Sequence, residues 1–265
     1  MKLKPFLVST VLVGVFVDAQ DNLQVELPTE PEKPPEEWKP HWIKHKDVKP
    51  FPELPPTTIS EKAALMFKPQ LKIITGCHPY PAVNEQGEVS GGLQAKGGQS
   101  SGCKGSGHGS QVYGRSTWYR GIWVIMYSWY FPKDQPAPFL GHRHDYEHVI
   151  IFLNNPAVQE PKVLGCSTSW HDGYDKYPEY IPKYFDGTSV KIKYEHTFVL
   201  NHAVHVTEET GSKQDLVLWE NMPDIVRLAL NNTKFGAANV PMNDHNFINK
   251  IEEAWPWEWP PKDSK

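Results

Sequence analysis

Asp134, His142, Asp145 and Glu147 lie within one segment, FPKDQPAPFLGHRHDYEHVIIF, and their types and spacing suit a shared ion. Pro132, Pro136, Pro138 and Gly141 make the middle of that segment a turn. Val149 to Phe152 is a β-branched and aromatic run that reads as a buried strand. In a strand beginning near Asp145, side chains alternate. Asp145 and Glu147 then share one face, and Tyr146 and His148 take the other. Asp134 and His142 can fold back from the turn to complete a shell. Three carboxylates and an imidazole, with no thiolate, suit Mg²⁺, Ca²⁺ or Mn²⁺; the same mixture would admit catalytic zinc. A salt-bridge network around Arg143 and a paired-carboxylate hydrolase fit the same residues. Neighbouring carboxylates on one strand, however, are poorly placed to flank a glycosidic bond from two sides. The chain has no G-x-S-x-G elbow, phosphate-binding loop or dinucleotide fingerprint.

The elements that must position these residues are mostly strands. Trp118-Tyr119, Ile122 to Phe131, Val149 to Leu153, Val190 to Tyr194, Thr197 to Val206 and Leu216 to Trp219 carry strand signals. Helices are expected over Asp224 to Asn231, after Pro223, and over Asn246 to Ala254 with Asp244 as the cap. Short strands, Gly/Pro turns and a few peripheral helices predict a mainly β protein, a β-sandwich. Cys77 and Cys103 flank a Gly/Ser/Gln-rich loop. In a secreted chain their pairing would stabilise the fold by roughly 3 to 4 kcal/mol. Cys166, in the apolar context VLGCS, reads as a buried free thiol. Asn231-Asn232-Thr233 is a glycosylation sequon on Asn231.

The chain of 265 residues divides by composition. Residues 1–19 have a basic start, a short apolar run and a small-residue cleavage site, as a secretory signal peptide does. Residues 20–58 are rich in proline, glutamate and lysine and read as a semi-rigid or disordered arm, with docking of Trp38, Trp42 and Phe51 on the domain or a partner as the alternative. Residues 59–255 form the domain, and 256–265 a Pro-rich tail. No other run is long and apolar enough to span a bilayer, so the mature protein is expected to be soluble and secreted. A net charge of −4 argues against nucleic acid and against simple adhesion to anionic lipid.

The heptad GHRHDYE, Gly141 to Glu147, resembles the GHRHDWE signature of the necrosis- and ethylene-inducing peptide 1-like proteins. These are secreted effectors of oomycetes, fungi and bacteria that attack plants. IMYSWYFPKD, Ile125 to Asp134, resembles that family's other block. The resemblance continues through KPQLKIITGCHPYPAV, SGGL, QVYGRSTWY, NNPA, LNHA and FGAANVP, from about Ile59 to Ile251. Two cysteines, Cys77 and Cys103, fit the type 1 subgroup common in oomycetes. The resemblance implies an actinoporin- and fungal-lectin-like β-sandwich without enzymatic activity. It implies binding to the sugar headgroup of plant glycosyl inositol phosphorylceramide sphingolipids, followed by plasma-membrane permeabilisation and necrosis. It further implies a divalent cation, Mg²⁺ or Ca²⁺, on Asp134, His142, Asp145 and Glu147. Headgroup contacts would come from His171 and His202, and membrane contact from Phe198. An immunogenic segment, Ile125 to Glu147, would be read by a plant leucine-rich-repeat receptor-like protein. The places of action would be the host apoplast and the outer face of the host membrane. Tyr146 and Phe198 stand where the family usually has tryptophan. Each change removes or alters an amphipathic ring of the kind that anchors at interfaces. A non-cytotoxic, lectin-like secreted member therefore stands as an alternative, and a metal-dependent secreted hydrolase as a third reading.

Overall fold

A computed structural model describes residues 38–138, 140–171, 173–197 and 201–259. The strands are β1 (Trp42–Ile43), β2 (Gln70–Ile73), β3 (Val89–Ser90), β4 (Gln111–Tyr119), β5 (Ile122–Asp134), β6 (His142–Leu153), β7 (Val163–Trp170), β8 (Gly173–Tyr177), β9 (Phe185–Asp186), β10 (Ser189–Thr197), β11 (Asn201–Val206) and β12 (Asp215–Leu218). The helices are α1 (Ile59–Met66), α2 (Asp224–Asn232) and α3 (Phe247–Ala254). Ten strands make one sheet in the order β12-β4-β5-β6-β7-β11-β10-β2, with β8 on β7 and β9 on β10. Neighbours are antiparallel except β12 with β4 and β10 with β2.

The sheet curls. Phe131 of β5 stacks on Tyr194 of β10, four positions away in strand order, with ring centroids 3.8 Å apart. The curl and α1, whose Ala64 carbonyl takes the Tyr127 hydroxyl at 2.7 Å, cover both faces of β5. That is why β5 is a continuous apolar run rather than an alternating one.

Several elements differ from the sequence reading. β5 and β6 reach the turn itself, pairing Asp134 with His142, so β6 starts three residues before Asp145. β7 and β8 are absent from the sequence reading: GCSTS is small and polar, GYDKY is short and carries two charges, and the two pair as a hairpin beside β6. α1 was also not expected. Asp244 does not cap α3; it pairs with Arg115 at 2.8 Å and accepts from Asn231, and Asn246 occupies the cap position. Residues 38–58, assigned to a disordered arm, are packed on the domain. Val48 and Phe51 are buried, β1 pairs with β3, and the Phe51 N–H donates to Gln111 Oε1 at 2.6 Å. Proline keeps such a segment extended, and the fold supplies the partners it cannot supply itself. Residues 1–37, with the expected signal peptide at 1–19, lie outside the described residues. Of the tail, Trp257 donates to the Pro178 carbonyl at 2.9 Å.

Candidate functional site

The candidate residues collect where β5 ends, β6 begins and β11 begins. Gly141 makes the turn possible. Its φ is +107°, and a Cβ there would sit 2.2 Å from the Asp134 carbonyl oxygen, so only glycine fits. This close approach sets His142 beside Asp134.

Asp134 is buried, and its two oxygens have different surroundings. Oδ1 accepts from the His202 backbone N–H at 3.2 Å and from His202 Nδ1 at 2.5 Å. Oδ2 has no hydrogen-bond partner. His142 Nε2 is 3.8 Å from it, beyond hydrogen-bond reach. His142 Nδ1 donates to the His144 carbonyl at 2.7 Å, which fixes the ring with Nε2 on the Asp134 side. His202 is in a similar state. Its Nδ1 is taken by Asp134, while Nε2 is buried without a partner, close to where Gly76 lacks a Cβ.

Asp145 Oδ2 accepts from the Tyr194 hydroxyl at 2.8 Å, and Glu147 accepts from the Ser169 hydroxyl. Burial, and then the charge of Asp134, pushes the Asp145 carboxyl up to about 7. Burial, and then the charge of Asp145, pushes Glu147 well above the usual carboxylate range. Tyr194 also stacks on His202, with centroids 4.8 Å apart, so Phe131, Tyr194 and His202 form one pillar beneath the carboxylates. Sequence reasoning missed Tyr194 and Ser169. Nothing local marks them, since they reach the site from β10 and β7.

Arg143 donates to the Gly91 carbonyl at 2.5 Å, a backbone contact in place of the alternative salt-bridge network. His144 and Tyr146 belong to a separate aromatic cluster with Tyr130 and Phe235. His171, at φ +42°, sits at the tip of the β7–β8 hairpin, next to the Trp170–Ala203 pair and thus beside the start of β11. Phe198 lies outside the described residues. Cys77 and Cys103 form a disulfide, and burial pushes the free Cys166 thiol up to about 12. Asn231 sits near the end of α2, where its side chain donates to Asp244 Oδ2 at 2.7 Å and accepts from the Asp244 N–H at 3.0 Å. This differs from the exposed loop expected of a used sequon. Among the described residues, no group of three or more His, Cys, Asp or Glu side chains is already arranged to hold a metal ion.

Residues 61–254 match the family described as necrosis inducing protein (NPP1). NLP effector protein 2 of Phytophthora capsici is 57% identical over 218 residues, which cover 82% of this chain and 89% of that protein. A crystal structure of non-toxic HaNLP3 protein is 58% identical, with a TM-score of 0.79, over 81% of this chain and 100% of that one. NLPPya in complex with mannosamine is 42% identical, with a TM-score of 0.76, over 81% of this chain and 99% of that one.

Proposed function

The chain belongs to the necrosis inducing protein family, whose effectors share its actinoporin-like β-sandwich, and from that premise we propose a more specific role. It is a secreted effector that binds the sugar headgroup of plant glycosyl inositol phosphorylceramide sphingolipids with a divalent cation and permeabilises the host plasma membrane. It acts in the apoplast, on the outer face of that membrane, and without a catalytic step.

The observation that supports the cation is the buried, unpartnered Asp134 Oδ2, with His142 Nε2 on that side of its ring at 3.8 Å. With Asp145 and Glu147 they offer oxygen and imidazole donors, a set that fits Mg²⁺ or Ca²⁺. When bound, such a cation would neutralise carboxylates that burial and mutual repulsion disfavour, and would offer positive charge to sugar hydroxyls. The four side chains are not drawn into a finished shell, and the Tyr194 and Ser169 hydroxyls hold Asp145 and Glu147 in place. His202 is fixed by Asp134, and its Nε2 is buried beside Gly76, so a headgroup contact there requires the Gly76 segment to move. His171 is its companion from the neighbouring hairpin, and Phe198 is the membrane contact. The mannosamine complex of NLPPya supports a carbohydrate ligand.

The test is dye leakage from vesicles containing the sphingolipid, with and without a chelator. Leakage is expected to stop with the chelator and in Asp134→Ala and Glu147→Ala. Full leakage by both variants would remove the cation from the account. Greater identity to the non-toxic HaNLP3 than to NLPPya favours a second reading, headgroup binding without leakage. The plant receptor-like protein would read Ile125 to Glu147 only once released, because β5 and most of β6 up to Glu147 are buried.

A further inference from the structure

A polar groove runs along the outer edge of β2, next to the candidate site but not part of it. It consists of two adjoining cavities, of about 420 and 430 Å³, that meet at Ile73 and His78. Each has the size of a small-molecule site, roughly 300 to 1,000 Å³. Gly76, which backs onto the His202 ring, lines one of them. Asp134, His142, Asp145 and Glu147 line neither.

The walls are already fixed. On one side Leu71 and Ser212 exchange two backbone hydrogen bonds at 2.8 and 3.0 Å. A Cβ on Gly211 would sit 2.4 Å from the Leu71 carbonyl carbon, so this segment lies flat against β2. On the other side the Cys77–Cys103 disulfide and the His78 N–H, which donates to the Cys103 carbonyl at 2.9 Å, hold the Gly/Ser loop. The Tyr80 hydroxyl donates to the Gly105 carbonyl at 2.6 Å. Gln214, which also lines the groove, accepts from Trp129 Nε1 at 2.8 Å. Walls held in this way lose little entropy when a ligand arrives. The strand adds main-chain groups. Ile74 donates to Tyr194 on β10 and Leu71 turns to Ser212, so Ile73, in step with Leu71, turns its N–H and C=O toward the groove.

The lining sets the ligand class. Ser100, Ser106, Ser110, Thr210 and Ser212 bring hydroxyls, which donate and accept as sugar hydroxyls do. Lys72, His78 and Lys104 line the groove, and no carboxylate does. Lys72 is already paired with Glu209, while His78 and Lys104 are exposed. On a chain of net charge −4, a recess that gathers cations and hydroxyls is complementary to an anionic polyol. We infer that this groove is a second binding site, for an acidic saccharide, whose carboxylate or phosphate is held by Lys104 and His78. Two sources carry that chemistry, a free uronide and the phosphorylated headgroup of a glycolipid. The groove shares no residue with the proposed cation site, so the two readings fail separately.

Two titrations on the full chain test this. Calorimetry with trigalacturonate reads the free uronide, with maltotriose as the neutral control. Sedimentation with phosphatidylcholine–sterol vesicles containing the glycosylated sphingolipid reads the headgroup. Wild type is expected to bind trigalacturonate at least about tenfold more tightly than maltotriose, with an affinity that falls as salt rises. Lys104→Ala, at an exposed position, should weaken that binding about tenfold and leave the melting temperature unchanged. Thr210→Trp, whose indole would fill the groove, should abolish it, and Asp134→Ala should leave it unchanged. If wild type binds vesicles and no trigalacturonate, and Lys104→Ala and Thr210→Trp weaken vesicle binding, the groove stands and its anion is the headgroup's. Trigalacturonate bound without vesicles supports the groove and sinks the headgroup reading. Vesicles bound equally by wild type and both groove variants, with no trigalacturonate bound, overturn the groove and leave the headgroup reading standing. Wild type that binds neither sinks both. Maltotriose bound as tightly as trigalacturonate overturns the acidic class. Loss of trigalacturonate binding in Asp134→Ala overturns the groove by moving the ligand to the cation site.

Discussion

A buried carboxylate ordinarily finds a partner for each oxygen, and Asp134 has His202 for one and none for the other. Its neighbours share the problem. Asp145, held near 7 by burial and by Asp134, is costly to ionise without a counter-charge. Asp145→Asn keeps the shape and an oxygen for Tyr194 but cannot ionise. In chelator the variant is expected to melt at or above the wild-type temperature. Saturating Ca²⁺, at a hundredfold excess over its dissociation constant, should stabilise wild type by about 2.7 kcal/mol and leave the variant unmoved. Differential scanning fluorimetry decides this, and equal cation shifts in both proteins would reject Asp145 as a ligand. Tyr146 is a different case. It departs from the family signature, yet its ring packs against Tyr130 and Phe235, and its hydroxyl is buried without a partner. Tyr146→Phe should therefore stabilise the fold by about 1 kcal/mol in urea melts. A destabilised variant would mean that the hydroxyl has a partner.

At the scale of elements, α1 depends on its first turn. Thr58 Oγ1 accepts the Glu61 N–H at 3.2 Å, and Glu61 accepts the Thr57 and Thr58 N–H groups at 2.6 and 2.9 Å. The same bonds hold Glu61 down at about 2. Thr58→Ala should cost about 1 kcal/mol. Glu61 has a folded pKa below its unfolded one. Its contribution is present above about pH 4.5 and fades as pH falls toward 2. Exposure keeps that contribution small, so the readout is the difference between wild-type and Glu61→Gln melting temperatures. That difference should shrink across this window, and a constant gap would deny the capping box its role. The T-x-x-E signal stood in the sequence at Thr58 to Glu61. It was obscured by the proline-rich segment before it and the short helix after it. The arm has a comparable role. The Ile43 carbonyl accepts from Gly91 at 2.7 Å, and the Gly91 carbonyl holds Arg143, so β1 steadies the start of β6, which carries His142.

Over the whole molecule, the Cys77–Cys103 bridge closes 26 residues. The loop within it supports the site. Carbonyls of Lys96 and Gly98 hold Lys133 at 2.9 Å, and Gln99 reaches the Pro136 carbonyl. Replacing both cysteines by serine should cost about 3 to 4 kcal/mol and weaken cation binding, as the support beneath Asp134 loosens. Urea melts and Ca²⁺ titration of the double variant check both effects. Unchanged cation affinity would separate the bridge from the site.

What could be read from residue order was local. The heptad Gly141 to Glu147, the aromatic run of β5 and the two helix faces announce themselves through spacing and side-chain type, which short-range sterics and periodic burial impose. The mainly β architecture followed from them, as did the placing of Asp134, His142, Asp145 and Glu147 in one neighbourhood. The state of the site did not. The partner of Asp134 lies 68 residues away and that of Asp145 lies 49 away, and no local pattern ties them together. The curl of the sheet lays β10 and β11 over β5 and β6. That non-local packing decides which carboxylate oxygen is satisfied and which is left without a partner beside the His142 ring.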